Sequence, residues 1–331
     1  MNLDLAAILV ELEPPTRLEG ETRFRVRQIP NGGHFFGRDS QGQACLLLDS
    51  GDHSHRAPIR LALLEVHFAM TCRIVDDSGS ERTQTLTSIV CRTNDEVIGR
   101  YFAHVAQTIV AIVGASPTSN EVARAVRRLT ELFQNLSRPT GRSVLGLFGE
   151  LLAIHVSNAP NIALSAWRST VDDRFDFSIE DVRLEVKATS DRIRAHYFSR
   201  EQCMPPDGTV GVLISLFVER GGGGLSLAEL IQRIERQVAD DPDLIFRLHA
   251  TIASTLGNTT AEAFAMRFDE QLSRESMQVY DLSQVPAIRG ELLPEISHVR
   301  FRADIGQLAG ADLARLESRS RLLRDLLPKR M

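Results

Sequence analysis

Two short runs decide the fold of this chain: RFDF at residues 174–177 and LEVKAT at residues 184–189, with a turn at Glu180-Asp181 between them. Both runs mix β-branched or aromatic residues with charged ones, which predicts two strands paired as a hairpin. Successive side chains of a strand point to opposite faces, so Phe175 and Phe177 are expected to share one face. One side of the hairpin should therefore be apolar core and the other polar.

The polar side of this hairpin is expected to carry Asp176, Glu185 and Lys187. Two carboxylates and one ammonium on one patch of a sheet indicate a divalent-metal site with a helper cation. The chain has 38 Lys and Arg residues, and only Lys187 and Lys329 are lysines. Lysine is a compact charge whose pKa shifts readily, whereas arginine is a planar group that stays protonated. We interpret Lys187 as a functional choice; the alternative is a chance lysine at an exposed strand position.

A helix predicted over residues 142–157 adds a third carboxylate. Its apolar stripe has the spacing i, i+4, i+7 and consists of Leu147, Leu151 and Ile154. Glu150 lies on or beside this stripe, and a buried carboxylate is costly unless it is paired or bound to a metal. Gly146 and Gly149 are expected to let the helix approach a sheet closely. The alternative is a glutamate at the edge of an ordinary amphipathic helix.

The pattern of a helix glutamate, then Asp, eight residues, and Glu-x-Lys across a hairpin resembles the PD-(D/E)XK nuclease superfamily. Phe175 stands where a proline often precedes the aspartate. Further runs resemble one group of PD-(D/E)XK proteins from bacterial restriction and antiphage gene clusters: GLFGELL at 146–152, Trp167, SREQ at 199–202, HFFGRD at 34–39 and the region 299–305. The resemblance extends, more weakly, along most of the chain.

This resemblance implies an α+β or α/β fold with a restriction-endonuclease-like mixed sheet flanked by helices. We divide the chain into a β-rich N-terminal region (1–93), a helical connector (94–140), the nuclease core (141–220) and a mixed C-terminal region (221–331). Residues 221–224 are expected to form a flexible loop, and a last helix is expected over about 311–327. Four N-terminal strands are predicted at 24–29, 44–48, 61–75 and 83–91.

The resemblance also implies an activity, namely metal-dependent hydrolysis of DNA in a bacterial restriction-type or antiphage system. The catalytic residues would be Glu150, Asp176, Glu185 and Lys187. Mg²⁺ or Mn²⁺ would be held by Asp176, Glu185 and the Val186 carbonyl, with Glu150 supporting the metal shell or a second ion. By resemblance alone, Ser199 and Gln202 are accessory residues that orient phosphate or water.

The expected partners are DNA and, by the same resemblance, an ATPase and a DNA methyltransferase of the same system, with a homodimer as a further possibility. The competing interpretation is a catalytically silent nuclease-fold subunit that binds DNA or scaffolds a multi-protein defence complex. The complete set of four site residues favours catalysis. The net charge of −5 favours the silent subunit mildly, because phosphate neutralisation dominates nucleic-acid binding.

Composition excludes several other classes. The four cysteines are scattered without a C-x-x-C pair, which argues against structural zinc and a disulfide framework. No secretory signal or membrane-spanning run is evident, so a cytoplasmic setting is expected. Neither a Walker lysine motif nor a G-x-S-x-G elbow is present, which argues against nucleotide hydrolysis and serine-hydrolase chemistry by this chain.

Overall fold

A computed structural model describes residues 4–16, 23–30, 32–140, 143–168 and 173–329 of the chain. It divides the chain into two compact units: unit 1 is Met1–Thr140 with Ile245–Ala261, and unit 2 is Gly141–Leu244 with Glu262–Met331. Helices occur with both parallel and antiparallel strand pairs, so the expected mixed α+β class is confirmed. Within the described residues, no helix is long and apolar enough to cross a membrane.

Unit 1 contains a closed barrel of strands. Its elements up to residue 140 are α1 (Leu5–Glu11), β1 (Arg23–Gln28), β2 (Phe35–Asp39), β3 (Ala44–Leu48), β4 (Ile59–Arg60), β5 (Leu64–Val75), β6 (Glu81–Cys91), α2 (Glu96–Val113) and α3 (Ser119–Leu136). The strands pair in the order β1-β2-β3-β6-β5, and parallel pairing of β1 with β5 closes the ring. Alternate side chains such as Phe24, Val26 and Leu47 fill the interior.

The second strand of the barrel, β2, was absent from the sequence-based expectation. It forms because β1 and β2 approach each other closely at Gly37, where a Cβ atom would lie 2.1 Å from the Arg25 carbonyl oxygen. Only glycine fits at such a backbone contact. The neighbouring Phe36 is fully buried, so this segment belongs to the core of unit 1.

Unit 2 holds the hairpin and most of the remaining elements. In chain order these are α4 (Val144–Val156), α5 (Pro160–Ala166), β7 (Phe177–Ile179), β8 (Val182–Thr189), β9 (Ala195–Ser199), β10 (Val210–Phe217), β11 (Arg220–Ser226) and α6 (Leu227–Gln237). They continue with α7 (Pro242–Leu256), α8 (Thr260–Ala265), β12 (Arg267–Phe268), α9 (Glu270–Glu275), β13 (Gln278–Asp281), β14 (Arg300–Asp304), α10 (Leu313–Glu317) and α11 (Leu323–Leu326). The helices α7 and α8 cross the boundaries between the units.

The central sheet of unit 2 has the order β13-β10-β8-β7. Strand β8 pairs antiparallel with β7 and parallel with β10, so it lies inside the sheet for its first residues. Helix α4 packs against β8 at Gly149, where an added Cβ atom would lie 3.0 Å from the Ala188 Cβ and 3.6 Å from Val186 Cγ1. The expected close approach is therefore made by Gly149, whereas a Cβ at Gly146 would meet nothing within 4 Å.

Two expectations for the C-terminal half are wrong. Residues 221–224 do not form a loop but lie in β11, which pairs with β12; a Cβ at Gly224 would lie 2.0 Å from the Phe268 carbonyl oxygen, so the glycine permits the pairing. The last helix is two short helices, α10 and α11. Ser320, between them, is buried and donates a 2.9 Å hydrogen bond to Asp181, which holds the chain in a turn.

The two glycines of α4 give a matched test of this packing. Gly146→Ala should raise the free energy of unfolding by about 0.5–1 kcal/mol, because alanine is the better helix former and the site is open. Gly149→Ala adds the same methyl group, but there it would lie 3.0 Å from the Ala188 Cβ. This overpacking should cancel or exceed the gain in stability. Urea unfolding should therefore place Gly149→Ala at least ~1 kcal/mol below Gly146→Ala. Equal stabilities would show that α4 is not pressed onto β8.

Candidate active site

The site lies at the N-terminal end of β7, which is shorter than the sequence predicted. The sequence predicted a strand from residue 174, but β7 starts at Phe177 and residues 174–176 bend away. The reason is Asp176: its Oδ2 accepts a 2.9 Å hydrogen bond from the Val186 N–H. The side chain thus takes the hydrogen bond that the next backbone carbonyl of β7 would accept in an antiparallel ladder.

The bend also overturns the expectation that Phe175 and Phe177 share a face. Phe177 lies opposite Leu184 in the register of β7 and β8. Phe175 instead packs in a cluster with Leu213, the cross-strand partner of Glu185. Cross-strand partners point to the same face, so Phe175 helps to cover the face that bears Glu185.

Glu185 and Lys187 form an ion pair on this face of β8. The Lys187 Nζ lies 2.6 Å from Glu185 Oε1, and the Glu185 residue is only 2% exposed. Gln202 joins them, since its Nε2 donates to the same Glu185 oxygen at 2.7 Å and its Oε1 accepts from Lys187 at 3.4 Å. Ser199 holds the Gln202 segment, because each residue's backbone N–H donates to the other's side chain, at 3.0 and 3.2 Å. Both predicted accessory residues thus lie at the cluster, Gln202 in direct contact.

Glu150 reaches the site from α4 with two partners of its own. The residue is 6% exposed, and its Oε2 accepts hydrogen bonds from Trp167 Nε1 at 2.7 Å and Arg168 Nε at 3.0 Å. The Arg168 Nε also lies 3.9 Å from Asp176 Oδ1. Glu150 is therefore linked to Asp176 through Arg168, and no direct hydrogen bond joins it to Glu185 or Lys187 among the described residues.

Arg168 is the residue that sequence reasoning missed. Its side chain is almost fully buried and bridges two of the three carboxylates. Its only signal in the sequence is its place directly after Trp167, the one tryptophan of the chain. Among 36 arginines, this position offers no periodicity that would mark it. Tertiary packing of residues 167–168 against α4 is what reveals it.

The electrostatics of the cluster are unbalanced. Glu150, Asp176 and Glu185 are three carboxylates, whereas the cationic groups in contact with them among the described residues are those of Arg168 and Lys187. Burial, reinforced by the charge of Asp176, raises the pKa of Glu150 from its ordinary value of 4.5 to about 7 and that of Glu185 to about 8. An additional positive charge would favour the ionised form of both.

Lys187 keeps its proton in this environment. Burial disfavours the ammonium, but the charges of Glu185 and Asp176 outweigh burial, so the pKa of Lys187 lies above its ordinary value. At neutral pH this residue is therefore a cation. It can donate hydrogen bonds and stabilise a neighbouring negative charge, but it cannot take up a proton as a base.

The donor set fits a hard divalent cation. Glu185 Oε2 is buried and accepts no hydrogen bond within the described part of the chain. Mg²⁺ is commonly held by one or two carboxylates with waters rather than by a full protein cage. This suits the described residues, which bring together no group of three His, Cys, Asp or Glu side chains arranged as a metal site. The N–H and C=O of a strand residue face the same neighbouring strand, so the Val186 carbonyl faces the edge where Asp176 lies.

The site thus combines Glu-x-Lys on one strand, an aspartate just before its neighbouring strand, and a glutamate on the packed helix. Over residues 6–306 the chain matches the family model DUF4420, described as "Putative PD-(D/E)XK family member". The chain therefore belongs to this family. No curated protein and no solved structure matches it.

One prediction from this site concerns how the free energy of unfolding depends on pH. The raised pKa of Glu185 means that the folded state binds this proton more tightly than the unfolded state. The resulting stability is fully present below pH about 4.5 and is lost as pH rises through about 8. In chelator, the free energy of unfolding of the wild type should therefore fall between pH 5 and 8 by at least ~2 kcal/mol more than that of Glu185→Gln. Parallel curves in urea unfolding would contradict the assignment of this titration to Glu185.

A second prediction concerns the buried pair of Glu150 and Arg168. Arg168→Met should lower the free energy of unfolding by about 3–5 kcal/mol, because it leaves a buried carboxylate short of its cation. The double variant Glu150→Met/Arg168→Met should recover most of that loss, since neither charge is then buried alone. A double variant whose loss equals the sum of the two single losses would show that the two side chains are not coupled.

Proposed function

We propose that this protein is a Mg²⁺-dependent DNA endonuclease, using Mn²⁺ as an alternative ion, in a bacterial restriction-type or antiphage defence system. The observation that carries the proposal is the cluster of the buried Glu185 with the half-buried Asp176 and Lys187, in which one Glu185 carboxylate oxygen has no hydrogen-bond donor among the described residues. A fold alone needs no such arrangement, because buried charges without full pairing are destabilising. Family membership supports the nuclease class.

The metal would be held by Asp176, Glu185 and the Val186 carbonyl. A bound Mg²⁺ supplies Lewis-acid chemistry, neutralising charge on the scissile phosphate. Glu150 lies behind Asp176 and, held by Trp167 and Arg168, supports the metal shell or a second ion.

Lys187 and Gln202 act on the attacking water. Because Lys187 stays protonated, its ammonium lowers the cost of forming hydroxide beside it by electrostatic stabilisation. Gln202 fixes the ammonium and the Glu185 carboxylate relative to each other through its two hydrogen bonds. Ser199 in turn orients Gln202, so both residues position the groups that face the reacting phosphate.

The wider assignment follows from the resemblance of the chain to proteins of restriction and antiphage gene clusters. On that basis we expect DNA as the substrate, an ATPase and a DNA methyltransferase as partners, and a cytoplasmic location. A single site of this type cuts one strand, so double-strand cleavage would call for a homodimer or a second nuclease. Light scattering after gel filtration measures the oligomeric state.

The second candidate is a silent nuclease-fold subunit that binds DNA or scaffolds a defence complex. The net charge of −5 favours its scaffolding form, since a DNA-binding surface must be basic and the chain as a whole is not. A plasmid assay separates the two candidates. Supercoiled plasmid is incubated with the full chain and Mg²⁺: an enzyme nicks it, whereas a silent subunit leaves it supercoiled. Chelator should abolish any nicking by the enzyme.

Lys187→Arg tests the assignment of the lysine while keeping its charge. Arginine pairs well with carboxylates, so the variant should fold with near-wild-type stability. Its larger, delocalised guanidinium fills the space where the water must lie. Plasmid nicking should fall by at least ~10²-fold, the scale on which one positioned donor that stabilises a developing negative charge contributes.

The matched control is Arg183→Lys, the reverse exchange on the same strand. Arg183 donates to the carbonyls of Glu180 and Val182 at the hairpin turn and touches none of the cluster. It should nick plasmid at the wild-type rate. A Lys187→Arg protein as active as this control would remove the catalytic role of Lys187 and leave the silent subunit as the better description.

A further inference from the structure

A two-stranded ribbon of β9 and β14 has one buried and one open face. The strands pair antiparallel, with Tyr197 opposite Arg302 and Ser199 opposite Arg300. Phe198 and Ala303, which alternate with these residues, are buried in the core cluster of unit 2. The outward face therefore carries Tyr197, which is 70% exposed, beside the exposed Arg300 and Arg302.

The charges on this face are uncompensated. Neither Arg300 nor Arg302 makes an ion pair or a side-chain hydrogen bond to any residue that the structure describes, and the Tyr197 hydroxyl has no such partner either. Two other exposed arginines of unit 2 are ion-paired, Arg192 with Glu219 and Arg267 with Glu229. The one acidic residue on the outward face, Asp304, lies two residues from Arg302, opposite Ala195; its side chain accepts from the Gly306 N–H and makes no ion pair with a described arginine.

The ribbon leads directly into the candidate active site. Strand β9 ends at Ser199, and three residues later Gln202 contacts both Glu185 and Lys187. Arg300 is opposite Ser199 in the register, so it is the arginine at the end of the ribbon nearest the cluster. A strand lying along the ribbon would thus run toward the metal-binding carboxylates.

The chemistry of the outward face matches an unpaired nucleic-acid strand. Arg300 and Arg302 are two residues apart on one strand, which separates their Cα atoms by about 6.6 Å, a repeat similar to that of neighbouring phosphates. An exposed aromatic ring beside guanidinium groups is an arrangement on which single-stranded bases stack while the phosphates are neutralised. Bases of an intact duplex are stacked on each other and offer no free face to such a ring.

We propose that the outward face of the β9–β14 ribbon binds a single-stranded segment of the nucleic acid next to the cleavage centre. Tyr197 stacks on a base, and Arg300 and Arg302 contact its phosphates. This inference rests on the proposed nuclease function, to which it adds a substrate containing unpaired nucleotides.

The test is binding without turnover. The full-length chain in chelator is titrated into a fluorescently labelled single-stranded oligonucleotide and into the same sequence as a duplex, with anisotropy as the signal. Tyr197→Ala should weaken single-strand binding by about fivefold or more, the effect of losing one stacked base, and change duplex binding less than twofold. Tyr197→Phe keeps the ring and should bind like wild type.

The arginines are tested by salt. Arg300→Ala and Arg302→Ala should each reduce the slope of log affinity against log salt by about 0.7, the value for one phosphate contact on a single strand. Arg321→Ala is the control, because this substitution removes the same charge from an exposed position elsewhere in unit 2. The melting temperature of each variant confirms that the fold is intact.

Three results would overturn the inference: Tyr197→Ala binding single strands as tightly as Tyr197→Phe, Arg321→Ala losing as much salt dependence as Arg302→Ala, or polyglutamate competing as well as the oligonucleotide. The last would assign the face to an acidic protein partner. Failure of the nuclease proposal looks different, since the wild-type chain with Mg²⁺ would then leave plasmid supercoiled while the ribbon variants still change binding.

Discussion

The hydrogen bond from the Val186 N–H to the Asp176 carboxylate, 2.9 Å long, is the contact on which the site depends. It ends β7 early, because a side chain occupies the place of the next backbone acceptor. It leaves the edge of β8 open beyond Leu184, where the Val186 carbonyl faces the same side. It also fixes Asp176 between the Glu185–Lys187 pair and Arg168. One interaction therefore sets both the geometry of the strand edge and the spacing of the charges.

The two faces of β8 make different contacts. One packs against α4, where Gly149 brings the helix onto Val186 and Ala188. The opposite face bears Glu185 and Lys187, and Gln202 and Phe198 cover it, with the Lys187 ammonium 5.4 Å from the Phe198 ring centre. Glu150 reaches the charged cluster only around the strand edge, through Trp167 and Arg168. The scaffold thus buries Glu150 and Glu185 and leaves Asp176 half-buried at an open strand edge.

Burial of this cluster opposes stability in the metal-free protein. A carboxylate taken out of water without a full set of partners has a raised pKa, and Glu150 and Glu185 show this at about 7 and about 8. Such strain is typical of sites that await a charged ligand. A divalent ion would relieve it and stabilise the fold by mass action. The buried Arg168 guanidinium offsets part of this cost by pairing with Glu150.

The sequence by itself determined the Glu-x-Lys strand, the aspartate that precedes its partner, and the helix that carries Glu150, because alternation and helical periodicity are local properties. It also determined the mixed α+β class. Tertiary structure alone decided that β7 starts at Phe177, that Phe175 and Phe177 face opposite ways, that residues 221–224 lie in strand β11, and that Arg168 joins Glu150 to Asp176. Each of these depends on a contact between residues distant in the chain or on a side chain replacing a backbone acceptor, and no local pattern records such contacts.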